Sequence, residues 1–368
     1  MIFKPDAVAF FWLDIQTTLV EEALMSLPDP SPTRPRTTEH AAWLALVITG
    51  LIIGGAFIAL YVGLQRDPTP QHLPIAVVGS QLATAAQSGL GDSVEVTEVA
   101  SIQDGAAITR DGDAIGVLGA TSPTTLRFEY AGASGFSESG AARKLVSGLA
   151  AHAGFTVQET DIAPLADYDS RGLSAFYVVF GVTLSSFVLA QGLTGAAAKV
   201  RLRHRLYAMA GFAVAIGLGA AAIAGPIYGS LTAPFPLLAL SLTLLSLASA
   251  FSTKALGAWL GPAGIGLAVL ILTTVGNATS GATIGYDLLP RWAQAVSAIL
   301  PPGAAVRAVN KYGYFDGSHA AWSLVVLAVW FLAGLGLVLL RQRLTERRTT
   351  TGALGPNLVQ PELTTQEA

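Results

Sequence analysis

The chain has 368 residues, 52% of them hydrophobic and only 12% charged, with a mean hydropathy of +0.55. Soluble globular domains carry about 25% charged residues, so this deficit, together with 39 glycines, points to a polytopic membrane protein. A net charge of −3 offers no footprint for nucleic acid, and the lack of cysteine excludes disulfides and thiolate metal sites.

Residues 1–24 place Val8, Phe11, Trp12, Ile15 and Leu19 at amphipathic spacing. Two readings fit: a helix lying on the cytoplasmic membrane surface, or an over-long start with Met25 as the true first residue. Residues 26–40 hold four prolines and read as a disordered linker, so 1–40 forms a partly disordered cytoplasmic segment. Residues 41–63 carry no charge and are long enough for roughly 30 Å of hydrocarbon, which predicts the first span.

Residues 66–172 change character. Six basic residues stand against thirteen acidic ones, and short alternating runs appear. Strands are predicted over 75–79, 94–100, 114–118, 124–130 and 155–162. Helices are predicted over 80–90 and 138–152, with a short helix and turn over 101–112. This order predicts a compact α/β domain. Five further spans follow, over about 173–193, 206–229, 234–251, 256–275 and 320–340, inside a membrane domain covering 173–340. The tail 341–368 reads as cytoplasmic and disordered.

Basic residues set the orientation. Lys199, Arg201, Arg203 and Arg205 lie in the 194–205 loop, Lys254 in the link after the fourth span, and Arg341, Arg343, Arg347 and Arg348 in the tail. The positive-inside rule then places both termini in the cytoplasm of a bacterial plasma membrane, with 66–172 extracytoplasmic. The expected fold is an α-helical polytopic protein with six membrane helices arranged 1+5. The α/β domain lies between the first and second, and a re-entrant helical hairpin between the fifth and sixth.

No predicted span has an acidic or basic residue in its core, which disfavours ion-coupled transport. No G-x-x-x-x-G-K-[ST], H-E-x-x-H or G-x-S-x-G occurs, and the five histidines do not pair at helical spacing. Asp111 and Asp113 read as a solvated turn. No catalytic residue, cofactor or metal is expected. The 194–205 loop has two readings, as a plain topology signal and as a docking surface for a partner subunit built on Lys199, Arg201, Arg203 and Arg205.

The 277–317 stretch is too apolar for a surface loop and too broken to span. Leu289, Trp292, Ala293, Val296, Ile299 and Leu300 follow helical spacing, with Asp287, Arg291, Gln294 and Ser297 off that face. Pro290 and the Pro301–Pro302 pair punctuate two short helices.

At these residues the chain resembles the ABC-2-type transporter permeases, in particular their phage-infection-protein-like branch. The resemblance lies in Gly276–Gly281, Leu288–Leu289–Pro290, Ala298–Pro301 and the helix to Arg307, with Asp169–Gly172 ahead of the second span. Ala278 stands where the branch commonly has proline. The resemblance covers about 41–341. It implies a membrane subunit acting as a homodimer or heterodimer, with a separate P-loop ATPase on the cytoplasmic loops. It also implies an outer gate at the hairpin, carried by Asn277, Leu289, Pro290, Trp292, Val296, Pro301 and Arg307. The first functional expectation is export of an amphipathic or hydrophobic compound through the bilayer. The alternative is a non-transporting envelope receptor or scaffold acting through its extracytoplasmic domain.

Overall fold

The computed structural model describes residues 36–353. The chain divides into two compact units, residues 1–51 and 52–368. Of the first, the structure describes the opening part of helix α1 (Arg36–Arg66), where Trp43, Ile48 and Leu51 are exposed. The helix begins at Arg36, inside the stretch expected to be a linker. The amphipathic segment expected over 1–24 lies outside the described residues.

The second unit opens with the rest of α1 and then a five-stranded sheet. In chain order this comprises β1 (Leu73–Val78), α2 (Ser80–Leu90), β2 (Val94–Val99), α3 (Ile102–Arg110), β3 (Gly116–Ser122), β4 (Thr125–Tyr130), α4 (Phe136–His152) and β5 (Thr156–Asp161). The strand order is β2-β1-β3-β4-β5, all neighbours parallel except the β3–β4 hairpin. Leu73, Ile75 and Val77 of β1 point to one face, where Ala83 and Ala86 of α2 and Ala142 and Val146 of α4 cover them. Ala76 and Val78 point to the other, under Ile102 and Ala106 of α3. The chain goes out from β1 to β2 and returns past β1 to β3, so right-handed crossovers require α2 and α3 on opposite faces, as observed.

The helical part contains α5 (Ser174–Gly195), α6 (Leu202–Ala222), α7 (Phe235–Leu260), α8 (Pro262–Ala278), α9 (Arg291–Ile299), α10 (Pro301–Tyr314) and α11 (Ala320–Ala353). Among the described residues five helices are long and apolar enough to cross a membrane: Trp43–Arg66, Ser174–Ala198, Leu202–Ile227, Phe235–Leu260 and Ala320–Arg347. Helix α7 is the axis of this part. Leu238, Leu242 and Leu245 are buried among Val179 and Val182 of α5, Ala221 of α6, Ala304 and Ala305 of α10, and Leu327 of α11. Small residues let backbones approach: a Cβ added at Gly334 of α11 would come 2.8 Å from the Phe251 carbonyl carbon.

The structure differs from expectation at the fourth and fifth spans. The residues 252–257, expected to link them, are helical. Ser252, Thr253 and Lys254 are buried against neighbouring helices, so hydroxyls and a charge that look like a loop locally are kept in the helix by packing. The break comes instead at Gly261, at φ +60°, followed by Pro262 at the first helical position. What remains of the fifth span is α8, 17 residues, shorter than the other five and widened by a π-helical stretch at Val269–Val275. The last helix runs on past 340 to Ala353.

Candidate functional site

Three clusters hold the residues singled out in the sequence. The first is the basic turn between α5 and α6. Lys199, Arg201 and Arg203 are exposed there. Arg205 is not: it is 9% exposed and its Nη1 donates to the Leu193 carbonyl (3.3 Å). This corrects the expectation that all four cations present a docking surface. The last carbonyls of a helix have no partner within it and carry its negative dipole end, which draws Arg205 inward. Lys254 of α7 reaches the same place, where its Nζ donates to Thr194 Oγ1 (3.1 Å). Arg341 of α11 lies over the Trp259 ring, 5.5 Å from its centroid.

The second cluster is the hairpin after α8. Asn277 is fully buried, and its Nδ2 donates to the Leu272 and Thr273 carbonyls (3.1 and 3.2 Å). Those carbonyls belong to the π-helical stretch, so the side-chain amide takes up acceptors in the widened turn. Pro290 has an extended backbone and α9 begins after it. Leu300 is extended in its turn, and Pro301 starts α10, where a missing N–H costs nothing.

The carbonyls that end α9 are satisfied by side chains from two other helices. Arg307 donates from Nη1 to Ser297 Oγ (2.9 Å) and from Nη2 to the Ser297 and Ala298 carbonyls (3.0 and 3.3 Å). Trp330 of α11 donates to the Ile299 carbonyl (2.7 Å). The face of α9 differs from the periodicity reading. Leu289, Ala293 and Leu300 are buried and Val296 half-buried, but Trp292 and Ile299 are 51% and 62% exposed. Gln294 and Ser297, expected off the packed face, are buried, because both bond to the protein: Gln294 Nε2 donates to the Leu289 carbonyl (3.0 Å) and Ser297 receives Arg307. Helix α9 thus turns polar groups inward and large apolar ones outward.

The third cluster, which the sequence did not reveal, is the joint between the sheet domain and this hairpin. Leu288 is buried in the sheet-domain core with Phe128 and Val146. Lys311 of α10 donates to the Asp111 and Gly112 carbonyls (3.1 and 2.8 Å) and pairs with Asp113 (3.6 Å). Burial pushes the Lys311 ammonium below its ordinary value, against the opposing effect of Asp113. The Asp111–Asp113 pair is therefore a clasp on α10. The Asp287 N–H donates to Glu138 Oε1 (2.8 Å). Burial raises the Glu138 carboxyl well above the carboxylate range, and the Asp287 charge raises it further; burial raises Asp287 to about 6. A cavity of about 370 Å³ lies here, lined by Asp113, Glu138, Tyr286, Asp287, Arg307 and Lys311 among others. The 277–317 stretch holds five charged residues, Asp287, Arg291, Arg307, Lys311 and Asp316, and nothing in their spacing sets Asp287 and Lys311 apart.

Among the described residues no group of three His, Cys, Asp or Glu is placed to hold a metal ion. Compared with protein-family models, with curated proteins and with solved structures, the chain matches none of them.

Proposed function

We propose that this chain is the membrane permease subunit of an ABC-2-like exporter that moves an amphipathic or hydrophobic compound and is energised by a separate ATPase. The observation that carries the reading is a set of buried oxygens without partners inside the helical part. Thr183 Oγ1 of α5, Ser249 Oγ and Thr253 Oγ1 of α7, and Thr273 Oγ1 and Asn277 Oδ1 of α8 are all buried with no hydrogen-bond partner in the protein. Buried polar atoms left unpaired cost about 1–3 kcal/mol each, and functional sites are where such costs are retained. Four hydroxyls and an amide oxygen on three helices, none of them acidic, suit a polar-headed organic molecule better than a coupling ion.

The cation distribution supports the orientation. Lys199, Arg201, Arg203 and Arg341 gather at one end of the bundle, while the sheet domain joins at the other. On the positive-inside rule the basic end and both termini face the cytoplasm of a plasma membrane, and the sheet domain faces outward. Helix α8, with the α9–α10 hairpin, forms the fifth, re-entrant element of a six-helix domain. Trp292 and Ile299 then face lipid, which accounts for their exposure on an otherwise well-packed hairpin. Asn277, Leu289, Pro290, Val296, Pro301 and Arg307 shape the outer gate, and the subunit works as a dimer.

The test is co-purification of the tagged full chain from its native membrane. A P-loop ATPase is expected to accompany it and to be lost in the combined variant Lys199→Glu, Arg201→Glu, Arg203→Glu. If no ATPase is retained by the parent chain, the exporter reading fails and a receptor or scaffold role takes its place.

A further inference from the structure

The turn Tyr286–Leu288 is gripped from three sides. The Gln71 N–H, in the linker after α1, donates to the Asp287 carbonyl (2.8 Å). Glu138 of α4 accepts from the Asp287 N–H, and Leu288 fills the sheet-domain core. Glu138 is 6% exposed. It sits in a notch at Gly285, φ +88°, where an added Cβ would come 2.8 Å from its Oε2. The Glu138 carboxyl, seated on the Asp287 N–H, also feels the Asp287 carboxylate, whose charge raises its proton affinity. An ionised carboxylate has no donor, so the two carboxyl groups attract each other only while the pair holds a proton. Without the proton, two like charges face each other across a buried joint.

We propose that Glu138 and Asp287 form a proton-operated latch, which fastens the sheet domain to the Tyr286–Leu288 turn while the pair is protonated and loosens that joint as its protons leave. The surrounding charges fit this assignment. Glu95 of β2 raises the proton affinity of Asp287 and Lys311 of α10 lowers it, but the Lys311 ammonium is already held by Asp111, Gly112 and Asp113. Arg307 and Asp113 line the same cavity, and the Arg307 donors are occupied by the end of α9. Tyr286 lies under Arg307, 5.8 Å from its ring centroid, and His72 follows Gln71 in the linker.

The sign follows from linkage. Both carboxyl groups bind protons more tightly in the closed joint than in an open one, so closure is fully favoured below the ordinary carboxylate range near pH 4. It weakens as pH rises through about 6, the value for Asp287, and further as Glu138 ionises. The latch needs no ATPase and stands apart from the transport reading.

The absence of native cysteine makes the test direct. Full-length protein carrying Leu288→Cys in nanodiscs is labelled with a maleimide from pH 5 to 8. Each rate is divided by that of Phe136→Cys, at a position 70% exposed, to remove the thiol's own pH dependence. The ratio is expected to rise about tenfold or more across this range, since between a carboxyl's ordinary pKa and its raised one each pH step of one weakens closure about tenfold. Adding Glu138→Gln or Asp287→Asn should shrink the rise, the two together should hold the ratio at the pH 5 level, and His72→Gln should leave the rise intact. Gly285→Ala, which displaces Glu138, should give fast labelling at every pH. Hydrogen exchange of residues 285–289 in the unsubstituted chain should show the same rise after correction for intrinsic exchange. A flat parent profile by both methods overturns the proposal. So does a rise that survives the double carboxyl substitution, or one that His72→Gln abolishes.

Discussion

The two ends of the helical bundle both bury charge, and they stabilise it by opposite means. At the basic end, Arg205 and Lys254 are held by oxygens of α5, a backbone carbonyl and a threonine hydroxyl. These acceptors are fixed by the helix and do not titrate. At the other end, Glu138 and Asp287 have each other and a backbone N–H, and their cohesion depends on a proton. A guanidinium is charged at any pH a protein survives, so the Arg205 clamp is permanent. The second is conditional. The difference lies less in the amount of charge buried than in whether the partner group can change.

Three substitutions sharpen that contrast. The largest effect is expected for Arg205→Glu, which sets a carboxylate against the carbonyl end of α5 and should cost about 3–5 kcal/mol. Thermal unfolding in detergent at pH 8, where the new carboxylate is charged, should show the loss; an unchanged melting temperature there would contradict the clamp. Ser297→Ala removes one acceptor of Arg307 but leaves the two carbonyls, and about 1 kcal/mol should go. A loss as large as that of Arg205→Glu would mean that the hydroxyl, not the backbone, orients Arg307. Lys199→Ala, on the same turn as Arg205 but exposed, should stay within about 0.5 kcal/mol of the parent. If it does not, the division of that turn into an inward clamp and an outward face is wrong.

The sheet domain is the most legible part. Its strands alternate and its helices are amphipathic, so local pattern and final burial agree; the helix read over 80–90 is Ser80–Leu90. The helical bundle is less so. Hydropathy alone cannot tell a polar link from a buried polar segment, and Ser252–Lys254 reads as the former while the structure makes it the latter. The Gly261–Pro262 pair is the better punctuation. On α9 the periodicity is real but its direction is not: Gln294 and Ser297 face the protein because they have partners there, which sequence spacing does not disclose. Arg205 reads as a surface cation by its charge, whereas its environment is set by where α5 ends. The carboxyl pair is out of reach, because Glu138 and Asp287 are 149 positions apart and belong to different layers of the molecule.

The length of α11 has a geometric consequence. Its 34 residues, at 1.5 Å each, make a rod about 50 Å long, whereas a bilayer core takes up about 30 Å. About 20 Å must therefore stand clear of the hydrocarbon. Arg341, Arg343 and Arg347 place that excess at the basic end. The rod works there as a bollard. A flat surface cannot lie against the Lys199–Arg203 turn without meeting it, so whatever binds that face needs a recess for a helix or must approach from the side.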